Sequence, residues 1–299
     1  MAQSTQAVAV MSDHRKGILL LLGATLAWST AGLFARAIDL DVATLTLWRG
    51  PFGALGLVLV ILWMKGREGL HDFTALGPVG LLYSLVSGAG MLLFIGALKG
   101  TTIAHVAIIY ATLPFVAGTI GWIALRERPG PSAMIAALVA LAGSAVMVGL
   151  GSDGRILGDL LSVGMVISMA LLIVIARARP NVPTLAAGAL AAVWAPLLCV
   201  PFARLEMLDI QTIVLLAGFG LFNTTIGFAL FIVGSRYLPP TETALISALE
   251  TPMTPFWVWL IFAETPTAPT LIGGGFVFAA VLGHILWQSR NEAPQIAPH

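Results

Sequence analysis

A carboxylate stands near the middle of an apolar stretch: Glu250, in the run ALISALETPMTPFW. A charged side chain at bilayer mid-depth has to face protein or water, so a carboxyl there marks a functional position. Thr243, Ser247, Glu250, Thr254 and Trp257 recur at helical spacing along one face. Pro252 and Pro255 remove two backbone donors and disturb the carbonyls near Ser247, Ala248 and Thr251. A proline-broken, polar-faced half-helix at mid-membrane suits a solute site, in which the carboxylate binds an ammonium group or carries a proton. The competing reading is a carboxyl held neutral and hydrogen-bonded inside a bundle.

A second interrupted stretch carries His105, Tyr110, Thr112 and Pro114, with Pro114 answering Pro252. Tyr110 is expected to line a cavity; His105, near one end, is expected to meet water. Arg49 lies about two turns inside another stretch, where it can snorkel to headgroups or enter an ion pair. Its fork also suits a substrate carboxylate. Asn223 heads the polar run Asn223-Thr224-Thr225 and is expected to face the interior, since lipid exposure of an amide is costly. Trp28, Tyr83, Tyr110 and Phe228 are candidate stacking surfaces for an aromatic solute. Ser168 and Ser247 are candidate polar contacts, although small hydroxyls also bond their own helix backbone. Pro114, Pro252 and Pro255 are candidate gating or bending points. Glu127 and Glu264 are read as turn carboxylates that cap local donors or pair with Arg126 and Arg128.

The elements that must position these residues follow from hydropathy. The chain is 58% hydrophobic and 10% charged, whereas soluble domains are about a quarter charged. Ten stretches approach the roughly 20 apolar residues a crossing helix needs: Gly17–Ala35, Ala43–Met64, Leu76–Leu98, Thr102–Leu125, Ser132–Leu150, Asp159–Ala176, Pro183–Pro201, Thr212–Ser235, Pro240–Phe262 and Pro269–Trp287. They are numbered spans 1 to 10 below. The expected fold is an all-α integral membrane protein of ten transmembrane helices. Span 1 is expected to serve as an uncleaved signal anchor. The single Cys199 excludes an intrachain disulfide.

The two halves repeat. Gly17, Leu20, Gly23, Ala35 and Arg36 recur in register as Gly158, Leu161, Gly164, Ala176 and Arg177. Ala107, Ala111, Glu127 and Pro129 recur as Ala244, Ala248, Glu264 and Pro266. Five spans per half make the second copy inverted, an organisation found among secondary transporters. The division is residues 1–16 as a cytoplasmic tail, 17–150 and 151–287 as the two five-helix repeats, and 288–299 as a second cytoplasmic tail. Basic residues cluster on one side: Arg15, Lys16, Lys65, Arg67, Arg126, Arg128, Arg177, Arg179, Arg236 and Arg290. The other side has Arg36, Lys99, Arg155 and Arg204, accompanied by Asp39, Asp41, Asp153, Glu206 and Asp209. This asymmetry puts both termini in the cytoplasm, and the expected location is a bacterial-type inner (plasma) membrane.

The run GATLAWSTAGLFAR in span 1, Trp48-Arg49-Gly50, the Glu-x-Pro turns at Glu127 and Glu264 and the stretch from Ala97 to Glu127 resemble the drug/metabolite transporter superfamily. The resemblance is to its EamA-type members, nearest to the YddG-type exporters of aromatic amino acids, and spans roughly residues 17 to 287. It implies export of small metabolites from the cytoplasm by alternating access, with amino acids, aromatic or otherwise neutral, as the leading substrates. A drug or organic-cation exporter is the alternative, because Glu250 plus aromatics also suits an organic cation. The lipid bilayer and a small amphiphilic solute are the expected partners. No nucleic acid, metal or cofactor is expected, and the oligomeric state stays open with a monomer favoured.

An enzyme is disfavoured. Leu85-Val86-Ser87-Gly88 lacks the first glycine of a membrane serine protease motif, and no HExxH pair occurs. No charge ring or carbonyl filter suggests a channel, and no clustered basic site suggests a nucleotide-sugar carrier.

Overall fold

The computed structural model describes residues 2–101, 103–148, 155–204, 208–263 and 265–291. Glu264, Asp153 and Glu206 lie outside the described residues, as does the tail beyond residue 291. Within them, regular structure is helical: α1 (Ala2–Ser29), α2 (Ala31–Ala37), α3 (Val42–Lys65), α4 (His71–Thr74), α5 (Gly77–Gly100), α6 (Ile103–Tyr110), α7 (Leu113–Leu125), α8 (Pro131–Val148), α9 (Ile156–Ala178), α10 (Thr184–Leu197), α11 (Ile210–Phe219), α12 (Phe228–Gly234), α13 (Pro240–Ser247), α14 (Glu250–Phe262) and α15 (Ala268–Asn291). Among the described residues, nine segments are long and apolar enough to cross a membrane, and Pro131–Met147 is a shorter tenth. They match the ten expected spans to within a few residues, except that α1 begins well before Gly17.

Local chemistry sets the ends. Asp41 caps α3 by accepting from the amides of Ala43 and Thr44, both at 3.0 Å. Gly66, with φ of 60°, ends it in a conformation L side chains resist. The inverted repeat is exact enough to show in the breaks. Span 4 stops at Tyr110 and restarts at Leu113, and span 9 stops at Ser247 and restarts at Glu250, its repeat partner. Both second halves end in a left-handed residue, Arg126 (φ 59°) and its repeat partner Ala263 (φ 55°).

Span 1 is interrupted at Thr30, between α1 and α2. Span 8 winds into a π-helix over Gly220–Gly227 between α11 and α12, a departure that often accompanies functional sites. Thr225 donates to the carbonyl of Gly53 at 3.2 Å across the contact with α3. Close helix pairs rest on small residues: a Cβ at Gly273 of α15 would strike the Gly143 carbonyl of α8, and one at Gly158 of α9 would strike the Gly100 backbone of α5.

Polar contacts sort the loops onto two faces. On the face holding the start of α1 and the end of α15, here the terminal face, Arg177 meets Glu127 at 3.3 Å and donates to the Arg236 carbonyl at 2.7 Å. This corrects the expectation that Glu127 pairs with Arg126 or Arg128. Burial pushes the Arg236 guanidinium below its ordinary value. On the opposite face, Asp159 accepts from Thr101 at 2.7 Å and faces His105 at 3.2 Å.

Candidate functional site

Glu250 opens α14, the second half of broken span 9. Pro252 deletes the amide that would bond the Ala248 carbonyl, and the interruption falls at Ala248–Leu249. Pro252 is buried, and Pro255 is carried inside α14 without a further break. In span 4, Pro114 sits in the first turn of α7 and is also buried. The prolines therefore mark both mid-bundle breaks.

Glu250 is partly exposed, in contrast to the fully buried residues of α13 that precede it. Tyr110, the last residue of α6, has the same character and lies within electrostatic reach of Glu250. The two broken spans thus bring a phenol and a carboxylate together. Among the described residues, no hydrogen bond or ion pair engages the Glu250 side chain.

The polar face of α14 turns to the break in span 1. Trp257 donates its indole N–H to Ser29 at 2.8 Å, and Ser29 in turn donates to the Leu26 carbonyl at 2.8 Å. Thr254 bonds the Glu250 carbonyl at 3.0 Å. Next to this, Trp28 and Asn223 exchange bonds: the Trp28 indole donates to the Asn223 carbonyl at 3.0 Å, and the Asn223 amide donates to the Trp28 carbonyl at 3.3 Å. The break in span 1 and the π segment of span 8 are locked to each other by these reciprocal bonds. Trp28 also packs on Phe231, ring centroids 4.8 Å apart.

Other candidates lie elsewhere. Ser247 is fully buried and donates to Thr243 of its own helix at 2.9 Å. Ser168 does the same to Gly164 at 2.9 Å and faces Gly90. Tyr83 is wholly buried in the core, its hydroxyl without a hydrogen-bond partner among the described residues. Phe228 packs its ring on Gly188. Arg49 stacks its guanidinium 4.7 Å from the Phe219 ring centre, and among the described residues it has no ion pair. Of the contacts expected for Arg49, the ion pair is not seen among the described residues, and the guanidinium rests on an aromatic face instead.

Sequence reading missed a polar cluster at the terminal face. Both oxygens of Glu242, 2% exposed, lie 3.1 and 3.2 Å from His14 Nε2, and His284 Nε2 lies 3.9 Å from one of them. The only cue was a carboxylate in the first turn of span 9; its partners are remote in sequence.

Comparison with known proteins bears on the whole arrangement. The sequence profile of the EamA-like transporter family matches residues 15–149 and 156–286, one match for each five-helix unit. The uncharacterized transporter YwfM of Bacillus subtilis (strain 168) is 29% identical over 265 residues, covering 84% of this chain and 87% of that protein. A protein of known crystal structure superposes with a TM-score of 0.81 at 17% identity, covering 93% of this chain and 99% of that one. At that identity the likeness speaks for the fold alone. With both of its halves matched, this multi-pass membrane chain belongs to the EamA-like transporter family.

Proposed function

We propose that this transporter exports small amphiphilic metabolites, foremost amino acids with aromatic or other neutral side chains, from the cytoplasm by alternating access around a central cavity. The observation that carries the reading is the Glu250 side chain at the break of span 9, within electrostatic reach of Tyr110 and without an ion-pair partner among the described residues. A carboxylate held in that setting gains a counter-charge when an ammonium group arrives, which makes occupation favourable. Tyr110 offers a ring face to an apolar side chain, and Trp28 and Trp257 line the adjoining break. The donors this reading assigns to a substrate carboxylate are the second N–H of the Asn223 amide, whose first goes to the Trp28 carbonyl, and Arg49 once it leaves the Phe219 ring.

The same carboxylate, with no cationic side chain paired to it among the described residues, also fits an organic cation. Proteoliposomes holding the purified protein decide. Saturable counterflow of neutral amino acids is expected, and its loss in Glu250→Gln places the ammonium at Glu250. Counterflow with organic cations alone moves the conclusion to the second reading. No counterflow with either class overturns both.

A further inference from the structure

Glu242 lies in the first turn of α13, about 12 Å along the helix axis from Glu250, and has no part in the site above. It is 2% exposed, and its surroundings come from two other helices: His14 of α1, and His284 and Gln288 of α15. His14 Nε2 is within reach of both Glu242 oxygens and also lies 3.2 Å from the Gln288 amide nitrogen. His284 is buried, and neither ring nitrogen has a hydrogen-bond partner among the described residues. One carboxylate and two imidazoles therefore share an enclosed space.

The repeat gives this cluster a counterpart. Through the pairing of Ala107 with Ala244, Glu242 is the partner of His105, and Asp159 is the partner of Ile18, one helical turn after His14. At the start of each broken helix a histidine from the first half thus meets a carboxylate from the second, with the roles of the broken and the neighbouring helix exchanged. The His105–Asp159 pair is the more open one, 23% and 31% exposed, and shares Thr101. The terminal-face cluster is sealed more tightly and has a second imidazole.

We propose that His14, Glu242 and His284 form a proton-binding site that latches the terminal ends of α1, α13 and α15. With one bound proton the cluster is neutral: one imidazolium, or one protonated carboxyl, offsets the whole set. Without it, a buried carboxylate is left uncompensated; with a second, an imidazolium is. The singly protonated form packs, and the proton leaves to water by way of His14, whose side chain is 13% exposed.

Among the described side chains, the neighbouring elements carry these other charges. α7 and α8, which pack on α13, carry no titratable side chain. Arg177 of α9 is engaged by Glu127 and Arg236, and Asp159 belongs to the opposite face. On α1, Asp13, Arg15 and Lys16 flank His14, and the Lys16 ammonium lies 5.1 Å from the Tyr237 ring centre.

The latch deepens the alternating-access reading, but its chemistry is tested without any solute. Hydrogen exchange of the α13 amides is followed from about pH 6 to about pH 8.5, a window that spans imidazole titration, and corrected for intrinsic rates. The wild type is expected to lose about tenfold protection toward the alkaline end as the proton departs. Glu242→Gln, which keeps the shape without the charge, is expected to hold its protection constant. A flat wild-type profile overturns the proposal with no variant needed, and an unchanged pH dependence in Glu242→Gln overturns it as well. Neither result bears on solute flux, so the latch and the transport reading fail separately.

Discussion

Trp28 and Asn223 show how single side chains hold this site together. Each gives its side-chain donor to the other's backbone carbonyl, at places where the helix ladders of span 1 and span 8 are irregular. Trp28→Phe keeps most of the ring and removes one donor, leaving the Asn223 carbonyl short of a partner. The expected cost is about 1–3 kcal/mol, read as a lower thermal unfolding midpoint in detergent, and Ser29→Ala should behave alike by orphaning the Trp257 indole. A midpoint unchanged in both would show that the bonds do not hold the break. Glu250 was legible in the sequence because a carboxylate in an apolar run has few places to go. The hydroxyls were not separable by type: Ser168 and Ser247 bond their own helices, whereas Ser29 reaches across to span 9. Which way a small hydroxyl turns depends on the neighbouring helix, which sequence spacing does not contain.

Whole elements divide along the same line. Prolines announced the breaks in spans 4 and 9, because a missing amide and a ring clash act on the chain's own preceding turn. The break at Thr30 and the π-helix of Gly220–Gly227 contain no proline, and the π segment is bonded to α3 through Thr225 and the Gly53 carbonyl, a contact between helices that sequence spacing does not contain. The cluster of His14, Glu242 and His284 escaped for the same reason. The run Gly273-Gly274-Gly275 does not by itself say which glycine carries a close helix contact. In α15, a Cβ on Gly273 would overlap the Gly143 carbonyl, whereas one on Gly275 meets nothing within 4 Å. Gly273→Ala should therefore force α8 and α15 apart and destabilise by about 1–3 kcal/mol. Gly275→Ala should leave the thermal midpoint unchanged or raise it slightly, since alanine favours helix. Equal effects of the two substitutions would mean that the helices can slide to absorb the methyl group.

At the scale of the molecule, the inverted repeat was readable from matched residues, and the paired breaks and paired left-handed caps give it physical form. The basic residues favour the terminal face. A reporter fused after His299 is accordingly expected to be active only as a cytoplasmic fusion, and a periplasmically active one would reverse the orientation.

The ties between halves limit what can move. Spans 4 and 6 are joined at both ends, by Thr101 and His105 to Asp159 on one face and by Glu127 to Arg177 on the other. Each tie is partly exposed and worth at most about 1 kcal/mol. The two sit near opposite ends of α9, about 27 Å apart along its axis, so their losses should add. Two weak contacts so widely spaced still suppress relative tilt, because tilting lengthens one whenever it preserves the other. Spans 4 and 6 should then travel as one body while span 1, interrupted at Thr30, and span 9, interrupted at Ala248–Leu249, supply the bending. In a Cys199→Ser background, Thr101→Cys with Asp159→Cys places two thiols where the native side chains meet at 2.7 Å. Bridging them with a short bifunctional reagent should leave solute counterflow largely intact, because the joined helices do not separate during the cycle. Loss of flux on bridging, restored when the bridge is cleaved, would show instead that the halves part along this seam.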